Sequence, residues 1–468
     1  MSEASPVSPL RQPALRRIIA GYTVNRLGTW FGFVALSVAV FDHTHSALAV
    51  AALLVSAQVL PAFVVPAVVA RIEASPRAGM LSALYALEAI TTGAVIVVLW
   101  NFWLPAVLVL IAIDGTAALA ASALLRAALA RAARESAAAE HASDPGSIEA
   151  AAAEAEHRAN ATLNIAFSVT FVIGPAVAGA VVAAGGAATA LAIDVGSFAI
   201  CALILRDLRP YVEEGEGATV QARLRAAWSH IQAMPALRTL LVVQGIGLVF
   251  FESAAPIEVP YAKVALQAGD RGYGALLGSW GVGVVLGSLI FARLPARRLG
   301  IMLSGGTLAV GLGYLGFSVA PALAVACVAG LLGGIGNGVQ WASVISAVQR
   351  LTPEPLLGRM MGAVEAVGAL CPAVGLTFGG VLVATSSPRT AFLVTGLGAA
   401  ITSLGFVYVA RMGLDPVDSG PEKSETELTE SSLRWSPFAP DESAVVPSMA
   451  ESGRAEGVHS TSSTPQTP

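Results

Sequence analysis

Six ionisable side chains interrupt stretches that otherwise carry almost no charge: Arg26, Glu88, Asp114, Asp194, Glu252 and Glu365. A charge at membrane depth is expensive, so each is a functional candidate by default. The chemistry open to such residues is the binding and release of a proton and the making and breaking of an ion pair. Burial and a neighbouring guanidinium act in opposite directions on a carboxylate's hold on its proton, so such a pair can be poised near working pH. Covalent and nucleotide chemistry find no footing. The chain has no GxxxxGK[ST] loop, no HExxH, no CxxC and no GxSxG, so ATP-driven transport and hydrolysis by a metal or a serine are not expected. The glycine run Gly330, Gly333, Gly334, Gly336 and Gly338 lies inside an apolar segment and reads as a packing face, not a nucleotide loop.

The elements that must hold these residues follow from composition. The 468 residues are 55% hydrophobic, with a mean hydropathy of +0.71 and only 12% charged residues, about half the charged share usual in a soluble domain. That is a polytopic membrane protein, not an enzyme with an anchor. Lys263 and Lys423 are the only lysines; such arginine- and alanine-rich usage suits a GC-rich bacterial genome. Cys201, Cys327 and Cys371 all lie in apolar stretches with no metal-ligand spacing, so no metal and no cofactor is expected. The N-terminal apolar run 18–41 is longer than a signal-peptide core and lacks a cleavage pattern, so it reads as a retained first helix.

Twelve apolar segments can be laid out: 18–41, 46–70, 79–100, 102–125, 161–184, 187–205, 237–259, 273–292, 300–319, 321–346, 360–384 and 389–411. The positive-inside rule tests this map. Apart from Lys263, Arg271 and Arg389, the basic residues fall on the side of the N-terminus, which places both termini in the cytoplasm of a bacterial cytoplasmic membrane. The expected division is a cytoplasmic N-terminus (1–17), six helices (18–205), a cytoplasmic linker (206–236), six more helices (237–411) and a disordered acidic tail (412–468). The connection 126–160 suggests a surface helix broken at Asp144-Pro145-Gly146. Gln221 to Ile231 suggests a helix lying on the membrane or in solution, both readings being open. The tail carries ten acidic residues against Lys423, Arg434 and Arg454, so the overall net charge of −4 is the tail's and says nothing of the substrate.

Ala161 to Ala184 holds 24 residues without a charge, enough to cross roughly 30 Å of hydrocarbon at about 1.5 Å per residue. At its centre Pro175 removes a helical hydrogen bond, which predicts a bend, while Gly174 and Gly179 allow another helix to approach closely. Two echoes suggest a duplicated architecture. Ala70-Arg71-Ile72 resembles Ala292-Arg293-Leu294, and Pro175-Ala176-Val177 is matched by Pro372-Ala373-Val374.

These motifs resemble the major facilitator superfamily, in its drug- and siderophore-exporter branch. Gly174-Pro175 and the small face after it resemble that branch's fifth-helix signature, with Thr170 where its first glycine stands. Asn25-Arg26-Leu27-Gly28 is similar to the branch's first helix, Gly272 to Leu277 to its eighth, and Leu357 to Gly362 to the loop before its eleventh. The stretch Val68 to Arg77 keeps the arginines of the superfamily's loop between helices two and three but not its glycine and aspartate, where Glu73 is a candidate replacement. The resemblance implies an all-α fold of twelve transmembrane helices in two six-helix bundles. It also implies a central cavity lined by helices 1, 4, 7 and 10, and so by Arg26, Asp114, Glu252, Asn337, Gln340 and Trp341. Gly174, Pro175, Gly179 and Pro372 are then conformational positions, and Arg71, Glu73, Arg77, Arg293, Arg297 and Arg359 gate-loop positions.

Arg26 and Asp114 fall at similar depth and are expected to pair, either as a structural clamp or as a switch broken by a proton on Asp114 or Glu252. Glu88, on a peripheral helix, is expected to serve packing, and Asp194 and Glu365 to sit at interfaces or gates. The functional expectation is proton-coupled efflux of small hydrophobic or amphipathic compounds by alternating access. The partners are then a small-molecule substrate, protons and the lipid bilayer, with no nucleic acid. An uptake or facilitative carrier, and a non-transporting sensor or scaffold, are the alternatives.

Overall fold

In lipid a backbone can satisfy its own hydrogen bonds only as a helix or a closed barrel, and every apolar segment of this chain becomes a helix. The computed structural model describes residues 12–74, 79–140, 148–208, 231–294, 299–352 and 354–413. The helices are α1 (Pro13–Thr44), α2 (Ala47–Ala74), α3 (Met80–Trp100), α4 (Leu104–Glu140), α5 (Ile148–Ile204) and α6 (Pro235–Ser253). The short α7 (Ala255–Pro260) and a π-helical turn, Tyr261–Ala265, follow, then α8 (Gly269–Arg293), α9 (Leu299–Val319), α10 (Leu323–Arg350), α11 (Glu354–Thr385) and α12 (Pro388–Arg411). Among the described residues there is no strand.

Ten of these helical stretches are long and apolar enough to cross a membrane. One of them, α5, has 57 residues, and its backbone leaves helical values at Gly186 (φ 78°, ψ 169°), a conformation that suits a residue without Cβ. It therefore makes two passages, 148–185 and 187–204. With these and the apolar part of α11, Leu370–Thr385, all twelve segments of the sequence find a helix. Pro175, where a bend was expected, lies inside α5, and Gly186 is the residue of that helix with non-helical angles.

The connection 126–160 differs from expectation. It is not a separate surface helix: α4 runs unbroken from Leu104 to Glu140, and α5 starts at Ile148 and continues into the membrane. The reason is composition, since alanine, glutamate and arginine are strong helix formers with no breaker among them before residue 141. The two extensions are tied by Arg134–Glu156 (3.2 Å) and braced internally by Arg131–Glu135 and Arg158–Glu154. The break at 144–146, the amphipathic stretch 221–230 and the tail beyond Gly413 lie outside the described residues.

The pairings of the first six passages recur in the last six. In the first set α1 packs on α5, α2 on α4, α3 on α4 and on α5; in the second α6 packs on α11 and α12, α8 on α10, α9 on α10 and on α12. Across the sets, α2 meets α11 and α5 meets α8.

The cores show where the two sets touch. One buried cluster spans both, joining Phe31 to Phe41 of α1, Ala49 to Leu54 of α2, Ala178 and Val182 of α5, Tyr261, Tyr273 to Trp280 of α8, Leu376 and Phe392. It occupies the end where α1 finishes and α12 begins, here called the far end. At the other end, which carries the start of α1 and the finish of α12, there are two separate clusters. One is built from Leu15, Ile18, Leu125, Leu129 and Leu205, the other from Leu237, Leu240, Val344, Met360 and Val409. The two halves thus share a core at the far end and keep their own cores at the terminal end.

Candidate functional site

Asp114 faces α3. Its Oδ1 accepts hydrogen bonds from the hydroxyls of Thr91 (2.7 Å) and Thr92 (3.1 Å). The expected pairing with Arg26 is absent. The Arg26 guanidinium lies 5.0 Å from the centre of the Phe167 ring of α5, and its Nε has no hydrogen-bond partner. The ring offers the cation a face without desolvating an anion, and the threonines satisfy Asp114 from its own side of the bundle. Sequence spacing could place Arg26 and Asp114 at one depth but could not show which way each helix was turned.

Glu88, expected on a peripheral helix, and Asp194, expected at an interface or gate, are both buried in the first six passages. Asp194, on the second passage of α5, is 3% exposed and lies against α1, where Gly28 and Gly32 make room for it. A Cβ at Gly28 would come within 2.6 Å of its Oδ1. Ser197 donates to the same oxygen at 3.3 Å. Glu88 is 1% exposed and its Oε1 has no hydrogen-bond partner. It lies within electrostatic reach of both Asp114 and Asp194. Asp194 thus lies at the interface of α5 with α1, and Glu88 is buried on α3. A helix peripheral in the fold can still point one residue inward, and hydrophobicity cannot reveal which.

In the last six passages Glu252 is half-buried, its Cβ beside Gly375 of α11. Gln340 does not stand free: it is buried, and its Nε2 donates to Oε1 of Gln244 on α6 at 2.6 Å. Asn337 is half-buried and Trp341 is exposed on the same helix. Sequence reasoning missed Gln244, whose only signal was an amide inside an apolar run. It also missed the aromatic cluster at the far end, where Trp280 stacks on Tyr314 with centres 5.1 Å apart and Phe392 meets Tyr261 edge-on.

The seam at the far end is built from small residues and one cation. Between α5 and α8, a Cβ on Gly179 would meet the Cα of Gly274 at 2.7 Å, and one on Gly274 would meet the carbonyl oxygen of Pro175 at 2.7 Å. Gly174 packs on Trp30 of α1. Between α2 and α11, Gly380 lies against Leu48 and Ala51. Lys263 in the π-helical turn bridges Asp42 of α1 (2.5 Å) and Asp270 of α8 (2.7 Å), which joins the two halves. Below the seam an open recess of about 210 Å³ is lined by Ser168, Val169, Val172 and Ile173 of α5 and by Val285 of α8. Pro372 is buried within α11.

Of the gate positions, Arg71 and Arg293 are exposed in the last turns of α2 and α8, equivalent places in the two halves. Arg77 and Arg297 lie outside the described residues, as do the side chains of Glu73, Arg359 and Glu365.

Comparison with known proteins agrees with this architecture. The Major Facilitator Superfamily model matches residues 246–450. A multidrug efflux pump, Tap of Mycolicibacterium fortuitum, is 24% identical over 277 residues, 54% of this chain and 63% of the pump. The match thus spans less than two thirds of that relative's length. Among solved structures, a bacterial homologue of the iron transporter ferroportin in an inward-facing state superposes with a TM-score of 0.65 at 16% identity, over 86% of this chain and 100% of the other. A bacterial homologue of the lysosomal transporter Spinster, inward-facing and unoccupied, gives 0.65 at 12%, over 87% and 98%. The nucleoside transporter NupG gives 0.63 at 13%, over 85% and 99%. At such identities these structures speak for the fold alone. The chain is thus a multi-pass membrane protein that shares the fold of these solved transporters, and its residues 246–450 are similar to the Major Facilitator Superfamily.

Proposed function

We propose that the chain exports small hydrophobic or amphipathic molecules in exchange for protons, from a bacterial cytoplasm that holds both its termini. The observation that carries this is the arrangement of cores: one shared at the far end, two separate at the terminal end. A molecule built so is closed on one side and free to part on the other, the geometry alternating access requires. The small-residue contacts between α5 and α8 favour rocking of one half on the other, because backbone against backbone has no long side chains to unpack. The open recess below the seam is lined by aliphatic side chains and one serine, which suits a lipophilic or weakly cationic cargo over a sugar phosphate. Similarity to a multidrug efflux pump favours the outward direction. The arginines of the terminal end favour that end's being cytoplasmic.

Protons enter through the carboxylates. A buried Asp114 that gains a proton loses part of its hold on Thr91 and Thr92 and can release α4 from α3. Energised everted vesicles containing the protein should accumulate ethidium, and an uncoupler should abolish the accumulation. Asp114→Asn, still inserted, should fall to the level of vesicles lacking the protein. Undiminished accumulation in that variant contradicts the coupling role. Ethidium counterflow that ignores the pH gradient contradicts exchange and favours a facilitative carrier.

A further inference from the structure

Arg26 of α1 is a cation without an anion. Among the described residues it enters no ion pair, and its Nε is closed off from solvent with no hydrogen-bond partner. The carboxylates that could have neutralised it are engaged elsewhere. Asp114 is bonded to Thr91 and Thr92. Asp194 packs on Gly28, which is two residues on from Arg26 and so on another side of α1. A guanidinium at membrane depth is costly unless it is paired. Its one ring contact, Phe167 with its centre 5.0 Å from Cζ, offsets only part of that cost.

A run of aromatic rings leads away from the guanidinium. Phe167 stacks on Phe171 with centres 5.6 Å apart, Phe171 meets Trp30 edge-on at 5.2 Å, and Trp30 meets Phe33 edge-on at 5.8 Å. Phe167 borders the first half's own core at the terminal end, and Phe33 borders the core shared at the far end. The run therefore passes through the middle depth of the molecule. Gly174 of α5 makes room for Trp30, since a Cβ there would collide with the indole. Arg26 and all four aromatic residues are half-buried, so none is sealed inside a core. Asn164, one turn before Phe167 on the same side of α5, is exposed at the charged end of the run.

The two features fit one kind of ligand. Of the guanidinium nitrogens only Nε is shut in without a partner, which leaves the Nη1–Nη2 fork for a carboxylate. A carboxylate takes such a fork in the guanidinium plane, while Phe167 offers Cζ its ring face, so the two contacts need not exclude each other. A flat aromatic body then has further rings to stack on or meet edge-on. We propose that Arg26 and the rings of Phe167, Phe171 and Trp30 form a binding site for an aromatic carboxylic acid in its anionic form. This ligand class lies beyond the neutral and weakly cationic molecules that suit the aliphatic recess. As a binding site the arrangement stands on its own geometry; that its occupant is cargo rests on the export function proposed above.

The test is equilibrium dialysis of radiolabelled 2-naphthoate and 2-naphthamide, probes alike in shape and different in charge. The full-length protein sits in phosphatidylcholine nanodiscs at neutral pH, and empty nanodiscs give the background. Naphthoate should bind at least about tenfold more tightly than the amide, and in Arg26→Gln the two should bind alike. Phe171→Leu should weaken both several-fold and keep their ratio, because it removes ring surface and no charge. Equal binding of the two probes by the unaltered protein overturns the proposal, and so does a preference for naphthoate that survives Arg26→Gln. The first comparison needs no variant, so it decides even if Arg26→Gln fails to fold. Unchanged affinities in Phe171→Leu reject the aromatic ligand. Loss of naphthoate binding on adding phosphatidylglycerol assigns the fork to lipid headgroups and also overturns the proposal. Accumulation of 2-naphthoate by energised everted vesicles separates the two claims. Arg26-dependent binding without accumulation leaves the site standing and rejects the acid as cargo; accumulation without an Arg26-dependent preference does the reverse.

Discussion

At the scale of single residues, the sequence disclosed which side chains were out of place in lipid but not their partners. Arg26 and Asp114 were legible as charges at one depth. That Asp114 turns to Thr91 and Thr92 while Arg26 turns to Phe167 depends on helix rotation, which hydrophobicity leaves open when a helix is apolar on all sides. The same gap hid Gln244. Its bond to Gln340 ties α6 to α10, and it yields a prediction. Gln340→Leu alone should destabilise the protein by about 1–3 kcal/mol, since Gln244 is left buried and unpaired, whereas Gln340→Leu with Gln244→Leu should be close to neutral. Thermal unfolding in detergent checks this as a double-mutant cycle. Additive losses from the two substitutions mean that the bond contributes nothing.

At the scale of elements, each apolar segment became a helix because lipid leaves the backbone no alternative. The boundaries were less legible: alanine-rich ends prolonged α4 and α5 well beyond the apolar segments 102–125 and 161–184, where no change of hydrophobicity announced a helix. The close approach of α5 and α8 was legible in part. Gly179 announced a small face, and the structure supplies its partner, Gly274. Backbone cannot yield as a side chain can, so Gly179→Val should wedge the far end open. In a variant otherwise free of cysteine, Ser37→Cys lies buried in that end. It should be labelled by a membrane-impermeant maleimide at least several-fold faster once Gly179→Val is added. An unchanged rate means that the α5–α8 contact does not close the far end.

At the scale of the whole molecule, duplication showed in the sequence only as two short echoes, yet it governs the main pairings: the principal contacts of passages one to six return in seven to twelve, and the halves meet through α2–α11 and α5–α8, with the short α7 packed on α1 and α2. Which end is closed was not legible at all, because it is a property of one conformation and not of composition. The structure shows the far end closed, over a shared core and the Lys263 bridge from Asp42 to Asp270. Alternating access requires this closure to be reversible and linked to the opposite end. The most direct measurement is a pair of spin-label distances in proteoliposomes, one between positions 45 and 386 at the far end and one between positions 206 and 350 at the terminal end. As pH is lowered with ethidium present, the far-end distance should lengthen while the terminal-end distance shortens, and both changes should vanish in Asp114→Asn. Two distances that move together, or that do not move, contradict the rocking of two halves about a central site.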